Sequence, residues 1–128
     1  MNFMSDESFI GTDIISVPKI AAVLKRYPER FPHHTFTEKE ITYCSSKPVP
    51  EIHYAGRFAA KEAVKKALLS SGVVSNISLK QIEVIRLENG VPKVIIHSSG
   101  IDNTDIKVSI SHTAKYATAT ALICFKNL

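Results

Sequence analysis

Between residues 55 and 69 the chain sorts apolar from polar side chains with a clear helical period. In Ala55-Gly56-Arg57-Phe58-Ala59-Ala60-Lys61-Glu62-Ala63-Val64-Lys65-Lys66-Ala67-Leu68-Leu69, a step of about 100° per residue puts Arg57, Lys61 and Lys65 on one stripe with Glu62 beside them. Ala59, Ala60, Ala63, Val64, Ala67 and Leu68 then make the opposite face. Alanine, leucine, lysine and glutamate lose little side-chain freedom in a helix, and neither proline nor a β-branched run interrupts them. The pattern predicts a long helix from residue 50 or 51 to just before Gly72, a natural helix stop.

Other periods flank it. Residues 9–17, Phe-Ile-Gly-Thr-Asp-Ile-Ile-Ser-Val, read as a mostly buried strand in which Asp13 stands between apolar neighbours. A carboxylate there needs a partner, because burying a charge alone is costly, and Gly11 hints that something approaches the backbone closely. Pro18 suits the first turn of a helix over residues 19–27, with Ile20, Val23 and Leu24 apolar and Pro28 ending it. Thr37-Glu38-Lys39-Glu40 has the capping-box pattern, so a short helix starts at Thr37 and runs towards Cys44. Residues 81–87 and 91–97 form a hairpin around Glu88-Asn89-Gly90, with Pro92 at an edge or start. Residues 106–112 alternate strictly, Lys107, Ser109 and Ser111 on one face and Val108, Ile110 and His112 on the other. Residues 116–125, rich in alanine, threonine and β-branched types, suit a closely packed final strand. Residues 1–8 have no period and are expected to be a lead-in free to move. The sum is an α+β fold, an antiparallel sheet against a long helix, in one domain spanning residues 1–128.

Composition narrows the setting. A chain of 128 residues can bury a core without disulfides or a structural metal. Sixteen Lys+Arg against 12 Asp+Glu give a formal charge of +4, which favours anionic partners without naming one. Cys44 and Cys124 show no CxxC or Cys/His spacing, which fits a reducing cytoplasm. The first residues lack the pattern of a signal peptide and no stretch reaches bilayer length, so no membrane association is expected.

Two groups of residues carry chemistry. A strand aspartate, Asp13, and a helical glutamate, Glu62, surrounded by Arg57, Lys61 and Lys65, have the composition of a Mg²⁺–pyrophosphate site, since Mg²⁺ is commonly held by one or two carboxylates plus substrate phosphates. The ordinary alternatives are a solvated row of charges and a structural pairing of Asp13 with a cation. In Ser109-Ile110-Ser111-His112-Thr113, neighbouring residues of a strand point to opposite faces and there is no G-x-S-x-G elbow, which argues against a serine hydrolase. His112 points either into a phosphate cleft or into the core. A non-catalytic basic module for nucleic acid or an acidic protein is the rival reading, although no nucleic-acid-binding signature is visible.

The blocks 10–14 (Ile-Gly-Thr-Asp-Ile), 55–63 followed by Lys65, and 108–113 (Val-Ser-Ile-Ser-His-Thr), with Asn89-Gly90-Val91-Pro92 between the hairpin strands, resemble the holo-[acyl-carrier-protein] synthases, the small trimeric type of 4′-phosphopantetheinyl transferase. The resemblance spans residues 9–125. It implies transfer of the phosphopantetheine arm of coenzyme A to a serine of apo acyl carrier protein for fatty acid biosynthesis, with release of adenosine 3′,5′-bisphosphate. It further implies Asp13 and Glu62 as Mg²⁺ ligands, Glu62 helping to deprotonate the serine, and Lys65 stabilising or protonating the leaving phosphate. Arg57, Lys61, His112 and Thr113 would contact coenzyme A. Lys19, Lys25 and Arg26 would dock the acidic carrier, Lys19 standing where relatives usually have arginine. Leu68-Leu69-Ser70-Ser71-Gly72 replaces a more glycine-rich turn. Active sites between the subunits of a homotrimer complete the expectation.

Overall fold

A computed structural model of the chain describes residues 7–101 and 104–125. The lead-in expected over residues 1–8 therefore falls, for residues 1–6, outside the described residues. In chain order the elements are β1 (Glu7–Ser16), α1 (Val17–Arg26), α2 (Arg30–Thr35), α3 (Glu38–Ser45), α4 (Pro50–Ser71), a 3₁₀ turn (Leu79–Gln81), β2 (Ile82–Arg86), β3 (Pro92–Ile96), β4 (Thr104–His112) and β5 (Tyr116–Phe125). Among the described residues the strands form two antiparallel sheets, one in the order β1-β5-β4 and one of β2 with β3. The α+β reading holds, with the hairpin as a sheet of its own.

The long helix α4 is the axis of the core. Ala59, Ala60, Ala63, Val64, Ala67 and Leu68 are buried against Ala119, Ala121 and Ile123 of β5 and Ile82 and Val84 of β2. A second cluster, with Tyr54, Ala55, Val17, Ile20, Phe36 and Cys44, packs α1 and α3 on the same helix. Gly72 ends α4 in the left-handed conformation (φ 78°), which only a residue without Cβ adopts cheaply. Small side chains let β1 approach: a Cβ on Gly11 would overlap the Ala63 carbonyl oxygen and lie 2.9 Å from Ala67 N.

The strand expected over residues 9–17 is not mostly buried. Gly11 faces the helix, whereas Ile10 and Ile14 point away and are 63% and 61% exposed. Across the sheet Leu122 of β5 pairs with Ile10 and is exposed as well, so one face of the three-stranded sheet presents apolar side chains outward. Helix α2, absent from the sequence expectation, is short and contains Pro32, so periodicity has too few residues to reveal it. Thr37 caps α3 with both bonds of the capping box.

A polar chain ties the hairpin to α3. The Thr37 hydroxyl donates to Glu83 of β2, whose other oxygen meets His97 Nε2 at 3.0 Å. Burial alone would push the Glu83 carboxyl up, but the hydrogen bonds from Thr37 and His97 and the charge of His97 outweigh it and hold the group below the usual glutamate range. A depressed folded value adds stability above the unfolded pKa near 4.5, and that stability is lost as pH falls through the folded value. Glu83→Gln is therefore expected to flatten the dependence of the urea midpoint on pH below 4.5. An unchanged acid slope would remove Glu83 as its source.

Candidate active site

Asp13 and Lys66 form the first part of the site. Asp13 points from β1 towards α4, where Lys66 Nζ donates to its Oδ1 at 2.9 Å and to the Thr12 carbonyl at 3.0 Å. Asp13 Oδ2 is buried without a hydrogen-bond partner among the described residues. An orphaned carboxylate oxygen is costly, and a hard cation would satisfy it. Glu62, half-buried, stands one helical turn before Lys66 on the same side of α4. Among the described residues no group of three or more His, Cys, Asp or Glu gathers as a metal cage. Two carboxylates suffice for Mg²⁺ when substrate phosphates and water fill the other positions, so the residues present fit that ion.

The row of Arg57, Lys61 and Lys65 does not act as one surface. Lys61 is fully buried, its Nζ bonded to Glu40 and lying 5.2 Å from the centre of the Phe36 ring. Burial pulls its ammonium below the usual lysine range, while the charge and hydrogen bond of Glu40 work the other way. In this arrangement the Lys61 amine turns inward to Glu40 rather than outward along the polar stripe. Lys65 lies elsewhere on the helix. It lines a cavity of about 580 Å³ with His33, His34 and Lys80, on another flank of α4, whereas Lys66 meets the carboxylate. The neighbouring position was legible: Lys66 is four residues after Glu62, so both lie on one helix face.

Arg57 and His112 come together. They line a cavity of about 300 Å³ together with Tyr43, His53, Arg86 and the hairpin residue Pro92. The Arg57 guanidinium lies 4.0 Å from the centre of the Tyr43 ring, and its Nε is buried without a partner among the described residues. Arg86 Nη1 donates to the Tyr43 hydroxyl at 3.1 Å. Burial would raise the Tyr43 hydroxyl, but the bond from Arg86 and the charges of Arg57 and Lys47 overcome it and draw the group below the usual tyrosine range. Burial and then the charge of Arg57 lower His53, which keeps its imidazole neutral near pH 7. Two guanidiniums, one with a buried unpaired N–H, make this a pocket for an anion. Tyr43, His53 and Arg86 were not singled out in the sequence, since they come from three elements whose meeting no local spacing reveals.

Thr113 follows His112 at the turn into β5. Its hydroxyl accepts from Lys115 N and Tyr116 N, both at 3.1 Å, so the described bonds of that oxygen are spent on the turn. Lys19, Lys25 and Arg26 are exposed on α1. Beside them Val23, Tyr27, Arg30, Phe31 and His34 line a cavity of about 370 Å³, an apolar notch with a basic rim.

A sequence model of the 4′-phosphopantetheinyl transferase superfamily matches residues 9–121. The holo-[acyl-carrier-protein] synthase of Protochlamydia amoebophila is 42% identical over 116 residues, covering 88% of this chain and 94% of the relative. That of Chlorobaculum parvum is 40% identical over 114 residues, covering 89% and 96%. Among solved structures, the Helicobacter pylori holo-[acyl-carrier-protein] synthase in complex with coenzyme A superposes with a TM-score of 0.77 at 31% identity, covering 89% of this chain and 98% of that one. The Bacillus anthracis enzyme, also with CoA, gives 0.77 at 29%, covering 95% and 100%. With matched residues running from β1 through α4 to β5, where the carboxylates, the arginine cavity and His112 lie, the chain belongs to the 4′-phosphopantetheinyl transferase superfamily, among its holo-[acyl-carrier-protein] synthases.

Proposed function

We propose that this protein is the cytoplasmic, Mg²⁺-dependent and homotrimeric form of the enzyme that transfers the 4′-phosphopantetheine arm of coenzyme A to a serine of apo acyl carrier protein. The observation that carries the site assignment is the Asp13–Lys66 pair with its unpartnered Asp13 Oδ2, set against the helix that also carries Glu62 and Arg57. Coenzyme A brings a pyrophosphate and a 3′-phosphate, and the two parts of the site offer cations to both. Arg57, Arg86 and His112 bind the nucleotide end through its phosphate. Mg²⁺, held by Asp13 and Glu62, supplies charge neutralisation at the pyrophosphate when bound.

The chain's own residues account for the rest. The carrier serine oxygen attacks the phosphorus that bears the pantetheine arm, and the bridging P–O bond breaks. The serine proton passes to the Glu62 carboxylate, and adenosine 3′,5′-bisphosphate departs with the bond's electron pair. Lys66, rather than Lys65, donates hydrogen bonds to the leaving phosphate as its charge grows. Lys19, Lys25 and Arg26 guide the acidic carrier, an attraction that salt weakens. The outward row of Ile10, Ile14 and Leu122 supports assembly through the three-stranded sheet. No helix among the described residues is long and apolar enough to cross a membrane.

The test is to incubate the protein with apo acyl carrier protein, coenzyme A and Mg²⁺ and weigh the carrier by mass spectrometry. Lys66→Met is expected to slow transfer by about 10²-fold or more, whereas Lys65→Met stays near the parent rate. The reverse ranking would return the leaving-group role to Lys65. No mass gain by the parent protein at any Mg²⁺ concentration would overturn the enzyme reading.

A further inference from the structure

Glu40 and Lys61 are both completely buried, and they bond to each other. As a stabilising device such a pair is poor, because desolvating two charges consumes most of what their attraction returns, and apolar replacements are often neutral or better. The surroundings show what it does instead. Glu40 Oε1 also accepts the Thr37 N–H at 2.8 Å, and Oε2 accepts the Val84 N–H at 2.8 Å. One carboxylate thus joins the start of α3, a backbone donor of β2 and the middle of α4.

Towards β5, α4 presents mainly small side chains, Ala59, Ala60, Ala63 and Ala67 against Ala119 and Ala121, with Val64 and Leu68 as larger buried groups in the same cluster. The Glu40–Lys61 contact adds a directional, hydrogen-bonded constraint that apolar packing lacks. Lys61 is the long side chain pegged into a fixed acceptor, and it immediately precedes Glu62. Arg57 lies one turn before it and Lys66 just over one turn after it. With side-chain ends about 6 Å from the helix axis, a rotation of about 20° would move the Glu62 carboxylate by about 2 Å. Misplacement of about 1 Å can cost a reaction about 10²-fold. Val84 leads along β2 to Arg86, so the same carboxylate also sets the hairpin against Arg57.

We propose that the Glu40–Lys61 pair is a positioning element of the active site, fixing the rotation of α4 so that Glu62 and Lys66 face Asp13 while Arg57 faces the arginine–tyrosine cavity. It rests on the roles given above to Glu62 and Lys66. Neither Glu40 nor Lys61 touches the substrate.

The deciding variant is the neutral double change Glu40→Gln with Lys61→Met, which removes both charges and the peg while keeping side-chain length. Its unfolding midpoint is expected to fall by no more than the loss of one buried acceptor explains, since the single glutamine oxygen can face only one of the Thr37 and Val84 N–H groups. Yet kcat per folded enzyme falls about 30-fold, with KM for coenzyme A changed by less than about threefold. A purely structural pair would leave kcat unchanged once folded protein is counted. Glu40→Asp, which keeps the charge and shortens its reach, is expected to lower kcat in the same way and serves if the double variant does not fold. Normal kcat in either folded variant overturns the proposal. The parent protein and Glu62→Gln run alongside: an inactive parent, or a fully active Glu62→Gln, would defeat the underlying site reading instead.

Discussion

Replacing Glu62 by glutamine is expected to lower kcat by about 10³-fold or more while the fold and coenzyme A binding persist, because general-base catalysis and metal-held charge are each worth orders of magnitude. The side chain is half-buried on α4 and lies outside the core clusters. An isosteric change there has no cavity to open and no buried charge to strand. Glutamine retains the size and the carbonyl oxygen, but it cannot take the serine proton and is a poor ligand for a hard cation. Arg57, Arg86 and His112 remain in their cavity, so the nucleotide end of coenzyme A still binds. The measurement is single-turnover mass gain of the carrier, with coenzyme A affinity by calorimetry and the thermal midpoint as controls. A variant turning over within about threefold of the parent would remove Glu62 from the chemistry.

What the sequence could reveal follows the range of the interactions involved. The alanine face of α4, its Gly72 stop and the Thr37 capping box are decided within a few residues, and all were legible. So was the oddity of Asp13 two residues after Gly11, since an ionisable residue facing a helix and a glycine that lets the backbone approach are both anomalies of a strand. The family resemblance brought Arg57 and His112 to one ligand, and both line one cavity. That Lys61 is covered was not legible, because its partner, Glu40, arrives from α3, 21 residues earlier in the chain. Helical period located Lys61 on a polar stripe without saying that another helix covers it. Lys66, one position after Lys65, is the lysine that meets Asp13, because a step of about 100° carries a side chain to another flank of the helix. The outward isoleucines of β1 were read as buried because two-sided hydrophobicity in a strand usually means burial on both faces. Among the described residues nothing covers the second face, and a neighbouring copy is the proposed cover.

Gly11→Ala is expected to destabilise the protein by about 3 kcal/mol or more, a size reserved for backbone overlap or overpacking in a core. Gly11 is not among the glycines with positive φ, which are Gly72, Gly90 and Gly100. With ordinary backbone angles and open space, alanine would stabilise by about 0.4–1 kcal/mol through the unfolded chain, so the sign of the change is diagnostic. The overlap is with the carbonyl oxygen of Ala63 and with Ala67 N, both backbone atoms of α4. No side-chain adjustment relieves it, and adding Ala63→Gly to the variant is therefore expected to restore nothing. The strand must instead retreat from the helix, which carries Asp13 away from Lys66 and from the turn bearing Glu62. Transfer should accordingly drop further than the loss of folded protein explains. The urea midpoint, measured at one fixed protein concentration because assembly contributes to stability, is expected to fall by about 1–2 M. A midpoint that holds or rises would mean that β1 does not lie against α4 as closely as the Asp13–Lys66 contact requires.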